Sequence, residues 1–150
     1  MKRTFKVKVF VDTNVLMDYL VPSRENHLNA VDLFSLILTS TIEAAFSTQS
    51  VLDAAYIGKK YEDFSLNGFR HIMEMLLGRT NISYIDSLEL HTALRDPNED
   101  IEDNAQMAFA ISQHCDVIVT YDRKLLARQI PASMQVMNTE EFLRHCLKSE

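Results

Sequence analysis

The chain predicts an α/β fold, a three-layer α/β/α sandwich built on a parallel sheet of about five strands. Two valine-rich runs carry this prediction, Lys6-Val-Lys-Val-Phe-Val-Asp12 and Asp116-Val-Ile-Val-Thr-Tyr-Asp122. Each is too short and too β-branched for a helix, and each stops on an acid that opens a helical pattern. Strands alternating with helices imply parallel pairing through right-handed crossovers. In open sheets of this kind, ligands and metals sit outside the carboxyl ends of the strands. Two strands that both end on Asp therefore point to a shared acidic site.

Taken in order, the first strand spans Lys6–Val11, and a helix runs from Asn14 to Leu20, ended by Pro22. A second helix spans Asn26–Thr39, with Leu28, Val31, Leu33, Phe34, Ile37 and Leu38 as its apolar stripe. Ala44–Ser47 reads as a short strand, followed by helices over Ser50–Tyr61 and Ser65–Leu77. Asn81–Ile85 alternates like a strand, and Asp86-Ser-Leu-Glu89 has the form of a capping box that opens another helix. Asp100–His114 is helical, Val117–Thr120 a buried strand and Lys124–Gln129 a short helix. Gln135–Met137 is the last strand, and Thr139–Leu147 a closing helix capped by Thr139 or Asn138.

The bulk composition describes one globular domain: 150 residues, 47% hydrophobic and 24% charged. A chain of this size buries roughly 68–70% of its unfolded surface, so it needs no covalent staples. Cys115 and Cys146 lie in apolar contexts without Cys-x-x-Cys spacing, which reads as buried thiols in a reducing cytoplasm. No stretch resembles a signal peptide or approaches the ~18 apolar residues of a membrane span. A net charge of −6 argues against a general nucleic-acid coat. That objection weakens where the negative charge is gathered at a metal site, because a bound divalent ion inverts the local sign.

Each acid has a structural explanation beside a functional one. Asp12 and Asp122 stand where an N-cap would stand. Asp86 also follows a strand, and Glu89 three residues later makes capping the better account there. Asp53 is the only charge between Glu43 and Lys59, and a buried carboxylate is expensive unless it pairs, protonates or binds metal. The alternative is a helix with one wet side. Asp103 sits with Glu102 in the first turn of a helix that Asp100 caps, where acids face the positive end of the helix dipole.

Convergence of Asp12, Asp53, Asp103 and Asp122 would favour a metal. Two unit charges ~4 Å apart repel by about 4 kcal/mol near a protein surface, and domains are stable by only ~5–15 kcal/mol. Hard oxygen ligands suit Mg²⁺ or Mn²⁺. Such ions activate water and stabilise the charge that develops in phosphodiester cleavage. Without metal, at least one acid should have a raised pKa through its neighbours. His27, His71, His91, His114 and His145 form no close pair, so zinc is not indicated. No Gly-x-Ser-x-Gly or phosphate-cradling glycine loop is present. Met73, Met75, Leu76 and Leu77 read as core or interface filler.

These spaced motifs resemble the PIN domain, the fold of the VapC-type toxin ribonucleases. Val11-Asp-Thr-Asn-Val-Leu-Met-Asp18 is similar to that family's opening motif. Ile101-Glu-Asp-Asn-Ala-Gln-Met-Ala108 and Cys115-Asp-Val-Ile-Val-Thr-Tyr-Asp122 are similar to its closing pair. The resemblance covers nearly the whole chain. It implies a metal-dependent endoribonuclease with Asp12, Asp103 and Asp122 as metal-binding acids. Asp53 takes the place of the acid on the helix after the second strand, a position more often Glu in the family. Asn14 and Thr120 match polar positions that support the acids by hydrogen bonding. The implied sheet order is 3-2-1-4-5, which makes Asp12 and Asp122 neighbours and leaves Asp86 on an edge. Implied partners are an RNA substrate, a cognate antitoxin and a second copy in a homodimer, with no membrane.

Two other readings compete. A haloacid-dehalogenase-like phosphatase also uses an Asp at the first strand's tip, but needs a second acid where Asn14 stands. A PIN-like RNA-binding or interaction module with a decayed site is the non-enzymatic alternative. An antitoxin helix would need an apolar groove, which the early helices could supply through Leu16, Tyr19, Leu20, Leu33, Phe34 and Tyr56; core filling is the competing account of these residues.

Overall fold

A computed structural model describes residues 6–148 of the chain. In chain order the elements are β1 (Lys8–Val11), α1 (Thr13–Leu20), α2 (His27–Leu38), β2 (Glu43–Ser47), α3 (Thr48–Gly58), α4 (Leu66–Leu77), β3 (Asn81–Ser83), α5 (Ser87–Arg95), α6 (Ile101–Ser112), β4 (Val117–Val119), α7 (Arg123–Leu126), β5 (Gln135–Met137) and α8 (Thr139–Lys148). All four strand pairings are parallel, and the order is β3-β2-β1-β4-β5. This is the five-stranded PIN-like sheet that the resemblance implied.

The two faces of the sheet follow from side-chain alternation along each strand. Val9 and Val11 of β1, Ala44 and Phe46 of β2, and Val117 and Val119 of β4 enter one core, with Val15, Leu16, Leu33, Phe34, Leu76 and Phe142 from the covering helices. Phe10, Ala45 and Ile118, one residue out of phase, enter the other, with Met107, Phe109, Ala110 and Leu125. β1 is buried on both sides, which is why its sequence is a nearly unbroken apolar run. Asp116, at the start of β4, accepts the Lys8 backbone N–H at 2.9 Å and helps hold the register of the central pair.

Boundary differences have local causes. The third strand stops at Ser83 rather than Ile85, because its last partner, Ser47, is also the last residue of β2. Helix α3 starts two residues earlier than Ser50, since Ser47 caps it by accepting the Ser50 backbone N–H at 3.1 Å. It ends at Gly58 rather than Tyr61, where the Phe64 ring lies so close that an added Cβ would meet it at 2.5 Å. Asn138, not Thr139, caps α8 by accepting the Glu141 backbone N–H at 2.8 Å.

Most of the apolar residues expected to line a groove on the early helices are core instead. Leu16, Leu20, Leu33 and Phe34 are core residues, and Tyr19 stacks on Phe34 with ring centroids 4.0 Å apart. Of the six, only Tyr56 stands in the open, 70% exposed. The reason is architectural: α1 and α2 pack on each other and into the core, which covers most of both apolar stripes. Leu28 and Val31 of the expected α2 stripe lie outside that contact and are exposed. Cys115 is buried, but Cys146 is only half-buried against the core. Among the described residues, no helix is long and apolar enough to cross a membrane.

Candidate active site

Asp12 follows β1 directly and its backbone carbonyl accepts the first hydrogen bonds of α1, from Val15 and Leu16. Its carboxylate does more than cap. Oδ1 accepts the Thr13 backbone N–H at 2.8 Å. Oδ2 accepts the Thr120 hydroxyl at 2.7 Å and the Asn14 side-chain amide at 3.0 Å. Asn14 also donates to Thr120 Oγ1 at 3.2 Å, and its Oδ1 accepts the Tyr121 backbone N–H at 3.0 Å. Thr120 Oγ1 in turn accepts the Asp122 backbone N–H at 3.0 Å. Adjacent parallel strands β1 and β4 thus have their tips tied by a side-chain network that fixes one carboxylate and orients the approach to the next.

Strand order reverses direction between β1 and β4, so this network lies at the topological switch point where such sheets bind ligands. Asp122 is half-buried and caps α7 with Oδ1, which accepts the Lys124 backbone N–H at 2.9 Å. Asp103, on the first turn of α6, is 6% exposed, and its backbone N–H is the one that Asp100 caps, at 3.0 Å. Asp53 stands on α3, half-buried, so the wet-sided helix describes it better than full burial does. All four line one cavity of about 300 Å³, together with Asp100, Glu102, Thr13, Asn14, Met17, Arg24, Ile57 and Gln106. The sequence marks Asp100 only as a helix cap and Glu102 only as a first-turn acid, and Arg24 carries no sequence signal for a site.

The acids influence one another. Burial raises the Asp12 carboxyl above its usual range, opposed by its hydrogen bonds and assisted by Asp122. Asp103 is pushed up to about 6, first by burial and then by Asp122, Asp100 and Asp12. Glu102 is raised by burial first and then by Asp53 and Asp12. Raised acids were expected, but with neighbouring charge as the cause; loss of water is the larger effect.

Six carboxylates with no His or Cys beside them in one cavity form a donor set for a hard divalent cation. As the side chains stand, no group of three His, Cys, Asp or Glu among the described residues is arranged to hold a metal ion. The fit is therefore one of charge and donor chemistry rather than of a closed cage.

Comparison with known proteins agrees with this architecture. The chain is 26% identical over 141 residues to Ribonuclease VapC1 of Aquifex aeolicus (strain VF5), covering 90% of this chain and 92% of that one. Among solved structures it is similar to VapC20 of Mycobacterium tuberculosis, a toxin that cleaves the sarcin–ricin loop, with a TM-score of 0.64 and 11% identity, over 82% of this chain and 96% of that chain. It is also similar to VapBC2 of Rickettsia felis, solved bound to a DNA fragment from its promoter, with a TM-score of 0.57 and 16% identity, over 88% and 98% of the two chains. At those identities the solved structures speak for the fold alone. Residues 8–124 match the family model of the PIN domain, and the chain belongs to that family.

Proposed function

We propose that this protein is a divalent-metal-dependent endoribonuclease of the VapC type, the toxin of a toxin–antitoxin pair acting in the cytoplasm. The observation that carries the reading is the Asp12 carboxylate, held by three donors at the switch point and facing a cavity walled by six acids. Its relative among the curated proteins is named a ribonuclease, which sets the reaction class.

In this reading Asp12, Asp53, Asp103 and Asp122 hold Mg²⁺ or Mn²⁺, which when bound activates water and offsets charge on the scissile phosphate. Asn14 and Thr120 keep Asp12 from rotating away, so its geometry is prepared before substrate arrives. Thr120 spends its hydroxyl proton on Asp12 and accepts from Asn14 and Asp122, which leaves it no freedom to turn. Glu102 adds a carboxylate at the rim.

The partners follow from the same reading. An antitoxin segment would silence the site by bringing a cationic side chain to the acids. A second copy would pair through apolar surface, for which Leu52, Tyr84, Leu88 and Leu94 are exposed. The test is cleavage of structured and unstructured RNAs by purified protein with Mg²⁺, Mn²⁺ or EDTA. Cleavage with metal and none in EDTA is expected; intact RNA under every condition would favour a decayed PIN-like module instead.

A further inference from the structure

Arg24 is the one cationic residue among the twelve that line the acidic cavity. It lies in the turn between α1 and α2 and is fixed from three directions. Nε donates to Asp18 Oδ1 at 2.6 Å and Nη1 donates to the Tyr61 hydroxyl at 2.8 Å. Nη2 reaches the backbone carbonyl of Asn14 at 3.4 Å, the residue whose side chain holds Asp12. The guanidinium also lies 5.7 Å from the centre of the Tyr61 ring.

A guanidinium carries five N–H groups in a rigid fork. Three have these partners; the remaining two, one on each terminal nitrogen, have none among the described residues. The Arg24 side chain is 24% exposed while that of Asp18 is 3% exposed. The pair is therefore inverted relative to an ordinary surface bridge: the acid is the anchor, sunk in the protein, and the cation is presented. A buried ion pair adds little stability over an apolar pair of similar volume, so stability alone does not account for it.

We propose that Arg24 is a substrate-binding residue that contacts a backbone phosphate of the RNA strand, with Asp18 and Tyr61 as its positioning residues. The identity of the anion rests on the nuclease reading above. A phosphate oxygen accepts two N–H groups of an arginine well, and a polyanion entering a cavity of six carboxylates needs a fixed cation beside any metal.

The test compares Asp18→Asn, which keeps the cation and lightens its anchor, with the double variant Asp18→Asn/Arg24→Gln, which removes both charges together. KM and kcat are measured in Mn²⁺ on a short fluorescein-labelled single-stranded RNA across a salt series, and binding of the same RNA is followed by anisotropy. Relative to Asp18→Asn, the double variant should raise KM about tenfold, the loss of one charge-assisted bond, with kcat little changed. Its salt slope should fall by about 0.7, one phosphate on a single strand; equal KM and equal slope overturn the proposal. If the double variant does not fold, Arg24→Lys decides: a raised KM with the wild-type slope supports the contact, and an unchanged KM overturns it. A wild-type protein that binds this RNA without cleaving it, with the slope lowered in the double variant, keeps the Arg24 contact and removes the nuclease reading. One that neither binds nor cleaves removes both.

Discussion

At the scale of single residues, Asp12 and Asp103 make separate and opposite demands. Asp12 accepts three hydrogen bonds, so Asp12→Asn keeps the shape of the network and removes its charge. Relief of a buried charge and loss of a good acceptor offset each other to within ~1 kcal/mol, while RNA cleavage should fall at least about a hundredfold. A variant that cleaves as well as wild type in Mn²⁺ rejects the role. Asp103 titrates near pH 6 in the folded protein, against about 4 in an unfolded chain. The folded state keeps a proton that the unfolded state releases, so the contribution of this group is full below about pH 4 and is lost as pH rises through 6. The metal-free Asp103→Asn variant should match wild type near pH 4 and exceed it at pH 7, by on the order of 2–3 kcal/mol. Chemical denaturation in EDTA at both pH values reads this directly; a difference that does not change with pH contradicts it.

At the scale of elements, two strand ends carry similar acids with different duties. Asp86 follows the edge strand β3 and forms a reciprocal capping box: Oδ1 accepts the Glu89 backbone N–H at 2.8 Å, and Glu89 Oε1 accepts the Asp86 backbone N–H at 2.9 Å. It is absent from the acidic cavity. Asp86→Ala should cost about 1 kcal/mol in urea unfolding, the usual loss of a cap, and leave cleavage at the wild-type rate. Loss of cleavage without loss of fold would mean that the site extends to the sheet edge. The central strands differ from β3 because their tips are neighbours. Thr120 joins them, and a carboxylate placed there meets other carboxylates rather than only its own helix.

At the scale of the whole molecule, a net charge of −6 is concentrated, with six acids around one cavity. Any ion that binds only the folded state stabilises it by mass action, by about 2.7 kcal/mol at a hundredfold excess over Kd. For a chain of this length that corresponds to a rise in Tm of roughly 5–10 °C. Thermal melts should show that rise with Mn²⁺ over EDTA in wild type and a much smaller one in Asp12→Asn; identical melts with and without metal would remove the cation from the site. The partner expectation is tested at the same scale. Co-expression with an upstream reading frame and size-exclusion chromatography should give a complex larger than 17.2 kDa. A monomer that co-purifies with nothing counts against the antitoxin and leaves nuclease activity to be judged on its own.

The sequence by itself determined what local pattern and short hydrogen bonds determine. A run of apolar β-branched residues specifies a strand buried on both faces, so β1 and β4 and the acids at their ends were legible. The Asp86–Glu89 box spans three residues and was equally visible. The apolar residues of the early helices were not decided by their own spacing, because an amphipathic stripe looks the same whether another helix covers it or solvent does. Only the packing of α1 on α2 made Leu16, Leu33 and Phe34 core. The site was divided in the same way. Acids at strand tips announce themselves, but the hydrogen bond from Thr120 to Asp12 joins residues 108 apart in the chain. Arg24 reaches the cavity because Asp18 and Tyr61, on separate parts of the chain, hold it there. Convergence of distant side chains depends on the closure of the whole sheet and its covering helices, and no local sequence pattern encodes that.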